Sequence, residues 1–441
     1  MPGAFRLKYP FSSVATQRLL LLKKNILARK SPPWHFNIFY WMDSKTDSME
    51  NFVYYSPTEF IFGRGTQNET GSALKRYGAN KVMIVYGSAR IERDGLMKQI
   101  TDSIEKEGIG YVKFGGIKPN PTAESVYAGI EKARAEGVDF LLAVGGGSPI
   151  DAAKGMALGV PYEGDFWDFY SGKANPEKAL PVGVVLTIPA AGSEGSGNSV
   201  ITNEKTHQKI SVRYPMVLRP RFAVMNPELT MSLPWNQTAN GIVDMMAHIF
   251  ERYFSNTPGT QLVDAYSEAI LRDISDQALS LRLNPDNYEA RADVMWAGTL
   301  AHNGLCGVGK VEDWASHRLE HEISAFYDVA HGAGLAVMIP AWMKFCAPLN
   351  PDKLWRFAIN VMSVNPAGKS TEEIIDEGIM ELKHFYHDLG MTTNLRELCG
   401  CEPDIDKMVK SLHRNMGDTL GSYVPLSMND CREIYKLALE G

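Results

Sequence analysis

Three of the ten histidines fall within one short stretch, HRLEHEISAFYDVAHG at residues 317–332. His317 and His321 stand four residues apart, which on a helix puts both imidazoles on one face. Asp244 and His248 repeat that spacing in GIVDMMAHIFERY. His331 follows where the glycines of HGAG suggest a turn, so it is expected to reach in from a loop. Carboxylate and imidazole arms from two helices and a loop suit a three- or four-cornered site for a divalent cation. Taken singly, each pair is also the spacing of a surface pair or a satisfied core histidine. The H-E-x-x-H order of zinc proteases is absent, since neither Glu320 nor Glu322 occupies its position.

A second constellation suits phosphate. GGGSPIDAAKG at residues 145–155 follows an apolar run and opens a helical pattern. Glycines allow the backbone to approach a ligand, and the helix start behind them offers free N–H groups and a positive dipole end. Pyrophosphate is the natural occupant; a tight ligand-free turn is the plain alternative. The G-x-G-x-x-G fingerprint is not met, because position 150 is isoleucine. GLCGVGKV at 304–311 has Val311 where a P-loop needs serine or threonine, and reads as a helix-terminating turn. A phosphate turn beside an Asp/His set points to a nucleotide and a metal ion acting on one substrate.

The elements that must carry these groups change type along the chain. KVMIVYG (81–87), DFLLAVGGG (139–147), VGVVLTIP (182–189) and FAVMNP (222–227) are short apolar runs of the kind buried on both faces of a parallel sheet. PTAESVYAGIEKARAEG (121–137) places Val126, Ile130 and Ala133 on one face of a crossover helix. Beyond Pro234 the periodicity becomes helical, with the boundary near TMSLPW at 230–235. Ligands are then expected at the carboxyl ends of the strands.

At 441 residues the chain is too long for one core, and 44% hydrophobic with 22% charged residues is an ordinary soluble composition. A net charge of −6 argues against a nucleic-acid binder, and no apolar run has the length needed to cross a bilayer. The five cysteines are scattered and suggest no disulfide framework, and Cys399-Gly400-Cys401 lacks both the spacing and the second pair of a metal knuckle. Residues 1–48 carry eight basic and two acidic residues. They read as an upstream extension before a natural start at Met49, with a transit peptide as the alternative.

In order, KPNPT (118–122), GGGSPIDAAK (145–154), IPAAGSE (188–194), GIVDMMAH (241–248) and the histidine stretch make the chain resemble the iron-containing (group III) alcohol dehydrogenases. Within that family it looks most like bacterial NADPH-dependent butanol dehydrogenases and aldehyde reductases. The resemblance runs from about Met49 to Gly441. It implies a Rossmann-like α/β dinucleotide-binding domain over 49–233 and an all-α metal- and substrate-binding domain over 234–441. It also implies one divalent metal, Fe2+ or Zn2+, on Asp244, His248, His317 and His331, with His321 beside the substrate as proton relay. Gly146, Gly147 and Ser148 match the pyrophosphate contacts, Asn120 a ribose contact, and Asp151, Thr187, Ser193 and Lys209 further cofactor contacts. Gly87, Ser88 and Arg90 stand where NAD-preferring members carry an aspartate, so NADP(H) is expected over NAD(H). "GSAR" departs from the usual glycine-rich loop there. The implied enzyme reduces aldehydes or oxidises primary alcohols of the butanol type, in the cytoplasm, as a homodimer with no nucleic-acid or membrane partner. Glycerol dehydrogenase, maleylacetate reductase and a dehydroquinate synthase-like lyase are the alternatives within the same architecture. Trp235, Trp314, Phe326 and Tyr327 are candidates for an apolar substrate pocket.

Overall fold

Apolar runs bounded by glycine produce a six-stranded sheet, all of it parallel, in a computed structural model that describes residues 48–206 and 208–441. The strands are β1 (Glu59–Phe62), β2 (Lys81–Tyr86), β3 (Gly110–Phe114), β4 (Phe140–Gly145), β5 (Val182–Leu186) and, after a hairpin, β8 (Phe222–Met225). Their order is β1-β8-β5-β4-β2-β3. Every residue of β4, β5 and β8 is buried, which is why these segments read as unbroken apolar runs rather than alternating ones. Helix α1 (Ala123–Ala135) starts at Thr122, whose side chain accepts from the Ser125 N–H, and buries Val126, Ile130 and Ala133 as its periodicity requires. Helix α2 (Gly147–Gly159) follows β4 directly.

Two parts of this half differ from expectation. β6 (Asn198–Asn203) and β7 (Gln208–Arg213) form an antiparallel hairpin, paired from Asn198↔Arg213 to Asn203↔Gln208, where no strand is legible. Its polar residues hide the strand pattern, yet Ser199 and Val200 are held by Asp151 from α2. β1 and β3 lie at the sheet edges, and their exposed positions break the apolar run that marks the inner strands.

Beyond Pro234 the chain is helical apart from one two-residue ladder, Thr419–Leu420 with Leu426–Ser427. Helices α3 (Trp235–Tyr253), α4 (Gln261–Leu283), α5 (Tyr288–His302), α6 (Ala315–Tyr327) and α7 (His331–Cys346) surround one large apolar core. The GLCGVGKV segment does terminate α5, and its Lys310 is a buried structural group, 2.6 Å from Asp264. All five cysteines are free. The extension and its alternative transit peptide lie almost wholly outside the described residues.

Candidate active site

All the residues singled out for the metal, the cofactor and the proton relay line one cavity of about 1090 Å³. The carboxyl ends of β2, β4, β5 and β8 open onto it through Gly87, Gly145, Thr187 and Asn226, as expected for an open parallel sheet. At the centre, β4 turns into α2 through Gly145, whose φ of 155° is open mainly to glycine, and Gly146, whose added Cβ would lie 2.9 Å from the Ile188 Cβ. The amino end of α2 therefore faces the cavity with bare backbone, an anion-binding arrangement.

Neighbouring cofactor candidates have existing partners. Asp151 accepts from the Ser193 hydroxyl at 2.6 Å and from the Val200 N–H at 3.0 Å, so its carboxylate holds the 193–200 loop against α2. Burial pushes its pKa up despite those bonds and the nearby Lys154 charge. Asn120 adopts a left-handed conformation, φ 54°, before Pro121. Arg90 donates its Nε–H to Asp94 at 3.0 Å and an Nη2–H to the Ser232 carbonyl. Its Nη1 keeps its donors without a partner among the described residues, as does the Lys209 ammonium.

At the other end, ligand atoms of Asp244, His317 and His331 lie within 4.8 Å of one another. His248 stands at the side of that cluster, its Nδ1 3.4 Å from Asp244 Oδ1 and its ring centroid 4.9 Å from that of His317. Two carboxylates orient the rings. His317 Nδ1 lies 2.7 Å from Glu251 Oε1, and His331 Nδ1 meets Glu320 Oε2, which turns both Nε2 atoms inward. His331 Nε2 is 3.8 Å from Asp244 Oδ1. His321 is outside the cluster, 6.4 Å from the His317 ring and 5.5 Å from the His331 ring by centroid.

The arrangement fits a cation. Asp244 Oδ1, His248 Nδ1 and His317 Nε2 are buried without hydrogen-bond partners, a state that is costly unless something completes them. Burial, with neighbouring positive charge, holds His248, His317 and His321 well below the ordinary histidine pKa, and the neutral imidazole is the form that binds metals. Burial, with the neighbouring Glu320 and Asp151 charges, raises Asp244 to about 6, against the opposing His331 and Lys209 charges. A bound cation would reverse that shift.

The structure corrects the expectation that His331 comes from a loop. Tyr327 ends α6, Asp328 takes a left-handed φ of 50°, and His331 is already the first residue of α7. The HGAG glycines serve contact rather than a turn: an added Cβ on Gly332 would lie 2.7 Å from the Asn240 Cα, and one on Gly334 2.6 Å from the Glu320 Cγ. Of the four aromatic pocket candidates only Trp314 lines the cavity, packed against the His248, His302 and His317 rings. Trp235 donates its indole N–H to the Leu389 carbonyl, while Phe326 and Tyr327 pack on the helical core. Glu251, Glu320, His302 and Arg318 were not singled out in the sequence. The i, i+3 spacings of His248 with Glu251 and of His317 with Glu320 were the available signals.

A family model described as iron-containing alcohol dehydrogenase matches residues 57–227, and one described as the C-terminal part of that family matches 238–439. The chain belongs to the iron-containing alcohol dehydrogenase family. Its relatives within the family include the probable NADH-dependent butanol dehydrogenase 2 of Bacillus subtilis, 41% identical over 89% of this chain and 100% of that one. The NADPH-dependent aldehyde reductase YqhD of Escherichia coli is 33% identical over 88% of this chain and 100% of its own. Among solved structures, the NADH-dependent butanol dehydrogenase A of Thermotoga maritima superposes with a TM-score of 0.84 at 41% identity, covering 89% of this chain and 99% of that chain. The family's α/β half and helical half correspond to the parallel sheet and helical array seen here.

Proposed function

We propose that this family member is a metal-dependent alcohol dehydrogenase that reduces short aldehydes, and oxidises the matching primary alcohols, with NADP(H). The observation that carries the reading is the set of orphaned ligand atoms on Asp244, His248 and His317, in the same cavity as the bare amino end of α2. A divalent cation supplies electrophilic polarisation of a carbonyl oxygen, and a nicotinamide cofactor supplies the hydride. Asp244, His248, His317 and His331 hold the cation; Fe2+ and Zn2+ both suit three imidazoles and a carboxylate. Glu251 and Glu320 keep the His317 and His331 rings turned toward it. Gly146, Gly147 and Ser148 bind the pyrophosphate through backbone N–H groups, with Asn120, Thr187, Ser193 and Lys209 around the rest of the cofactor. His321, uncharged and at the cavity wall, would relay a proton to the substrate oxygen, giving up the N–H of one ring nitrogen as the other takes a proton from solvent. Residues 49–233 are assigned the cofactor, and 234–441 the metal and substrate.

NADP(H) is supported by Gly87 and Ser88, which put no carboxylate at the end of β2 itself, and by the free Nη1 donors of Arg90. NAD(H) is the second reading, favoured by the Arg90–Asp94 pair and by the NADH-dependent names of several relatives. A homodimer is supported by the exposed Phe52, Val53, Tyr54 and Tyr55 preceding edge strand β1. A cytoplasmic location is supported by the five free cysteines. No helix among the described residues is long and apolar enough to cross a membrane.

Loss of nicotinamide absorbance with butanal tests the reading, run with NADPH and NADH, before and after removal of metal and with Fe2+ or Zn2+ restored. Activity should disappear with the metal and return with one ion, at a higher kcat/KM for NADPH. Full activity in a verified metal-free state would refute the mechanism. Bound metal and cofactor with no aldehyde turnover would point to the lyase and other superfamily reactions.

A further inference from the structure

Arg318 lines the cavity from α6, one residue after His317 and three before His321, yet it has no assigned role. A guanidinium offers five donors and no acceptor. Among the described residues the Arg318 side chain makes no hydrogen bond, ion pair or ring contact, although it is half-buried and no carboxylate lies within 4.0 Å of it. Burial lowers its pKa, and Glu251 is the one carboxylate whose charge opposes this. Glu251 is already engaged, accepting from the Ser316 hydroxyl at 2.6 Å, the His317 N–H at 3.0 Å and facing His317 Nδ1 at 2.7 Å. The other cavity acids are also occupied: Asp94 with Arg90, Asp151 with Ser193, Glu228 with Arg64, and Glu312 with Trp314, while Asp244 belongs to the metal set. A half-buried cation thus stands at the reacting end of the cavity with no protein anion to complete it. It stands on the helix of His317 and His321, whereas the pyrophosphate turn is on α2.

We infer that Arg318 binds a carboxylate carried by the substrate, so that the preferred aldehydes are short ω-oxo acids and the preferred alcohols short ω-hydroxy acids. The planar guanidinium fork matches a carboxylate with two parallel N–H···O bonds. The assignment rests on the aldehyde-reductase reading above and narrows its substrate class.

The test compares 4-oxobutanoate with butanal, which differ by a carboxylate in place of the terminal methyl, using the metal-loaded full chain with NADPH and, in parallel, NADH. The wild type should favour 4-oxobutanoate. Arg318→Met should lower the ratio of the two kcat/KM values about 100-fold, the size of one lost charge-assisted contact, chiefly through KM of the oxo acid. Arg318→Lys, which keeps the charge but not the fork, should lower it about 10-fold and decides the matter if the methionine variant does not fold. An unchanged ratio in both variants, or a rise in KM for NADPH instead, would overturn the inference. A wild type that reduces butanal well and 4-oxobutanoate poorly would overturn it while leaving the function intact. A wild type that reduces neither would remove both readings.

Discussion

At the scale of single residues, the site depends on side chains that do not themselves belong to the ligand set. Glu251 Oε1 is met by the Ser316 hydroxyl and by both the backbone N–H and the Nδ1 of His317, so one oxygen fixes the start of α6 and the orientation of a ring. Such outer carboxylates raise ligand basicity and fix the tautomer. Glu251→Gln should therefore weaken cation binding about 10-fold, read by titrating metal into the stripped protein against a competing chelator. Unchanged affinity would mean that the ring is oriented by packing alone. Glu320 serves His331 in the same way, although its i, i+4 bond from Ser324 also ties it within α6.

At the scale of elements, the cofactor side is organised by a buried ammonium. Lys154 on α2 is fully buried and donates to the carbonyls of Ser193, Ser196 and Asn198 and to the Ser193 hydroxyl, at 2.6 to 2.9 Å. One side chain thus joins α2 to the loop leading into the β6–β7 hairpin. Burial lowers its pKa from 10.5 to about 8, against the opposing Asp151 and Glu194 charges. Because the folded value lies below the unfolded one, the unfolded chain binds more protons between the two. Lys154 therefore burdens the fold fully below pH 8, and its contribution improves as pH rises from about 8 to 10.5. The size of that improvement is about 3 kcal/mol. Denaturant midpoints at a series of pH values should rise more steeply for the wild type than for Lys154→Met over this window. Parallel profiles would show that Lys154 keeps its ordinary pKa in the fold. The methionine variant should also be less stable throughout, since three buried carbonyls lose their donor.

At the scale of the molecule, the cavity joins the sheet to the helical array, and its proposed ligand set gathers α3, α6 and α7 around one point. Orphaned donors there make the folded state a better ligand than the unfolded chain. Cation binding should accordingly raise thermal stability by mass action, about 2.7 kcal/mol when free metal is a hundred times its dissociation constant. Scanning calorimetry of stripped protein across a range of Zn2+ or Fe2+ concentrations should give a rising transition temperature. A transition that ignores the metal would exclude this cluster as its site.

Much of this was legible in the chain. Buried parallel strands leave unbroken apolar runs, and the 3.6-residue period of helices puts Asp244 with His248 and His317 with His321 whatever surrounds them. The glycines at the end of β4 likewise announce a close backbone approach. These are local consequences of covalent geometry, so a single sequence carries them. The hairpin of β6 and β7 was hidden because its polar strands are held by Asp151, far away in sequence. The role of HGAG was misread because a helical glycine that admits a neighbouring helix looks, in sequence, like one that ends a turn. Glu251, Glu320 and the unpartnered Arg318 acquired meaning only when separate helices met. Burial, missing partners and the charge around a group are properties of the packed chain, and only the tertiary structure could decide them.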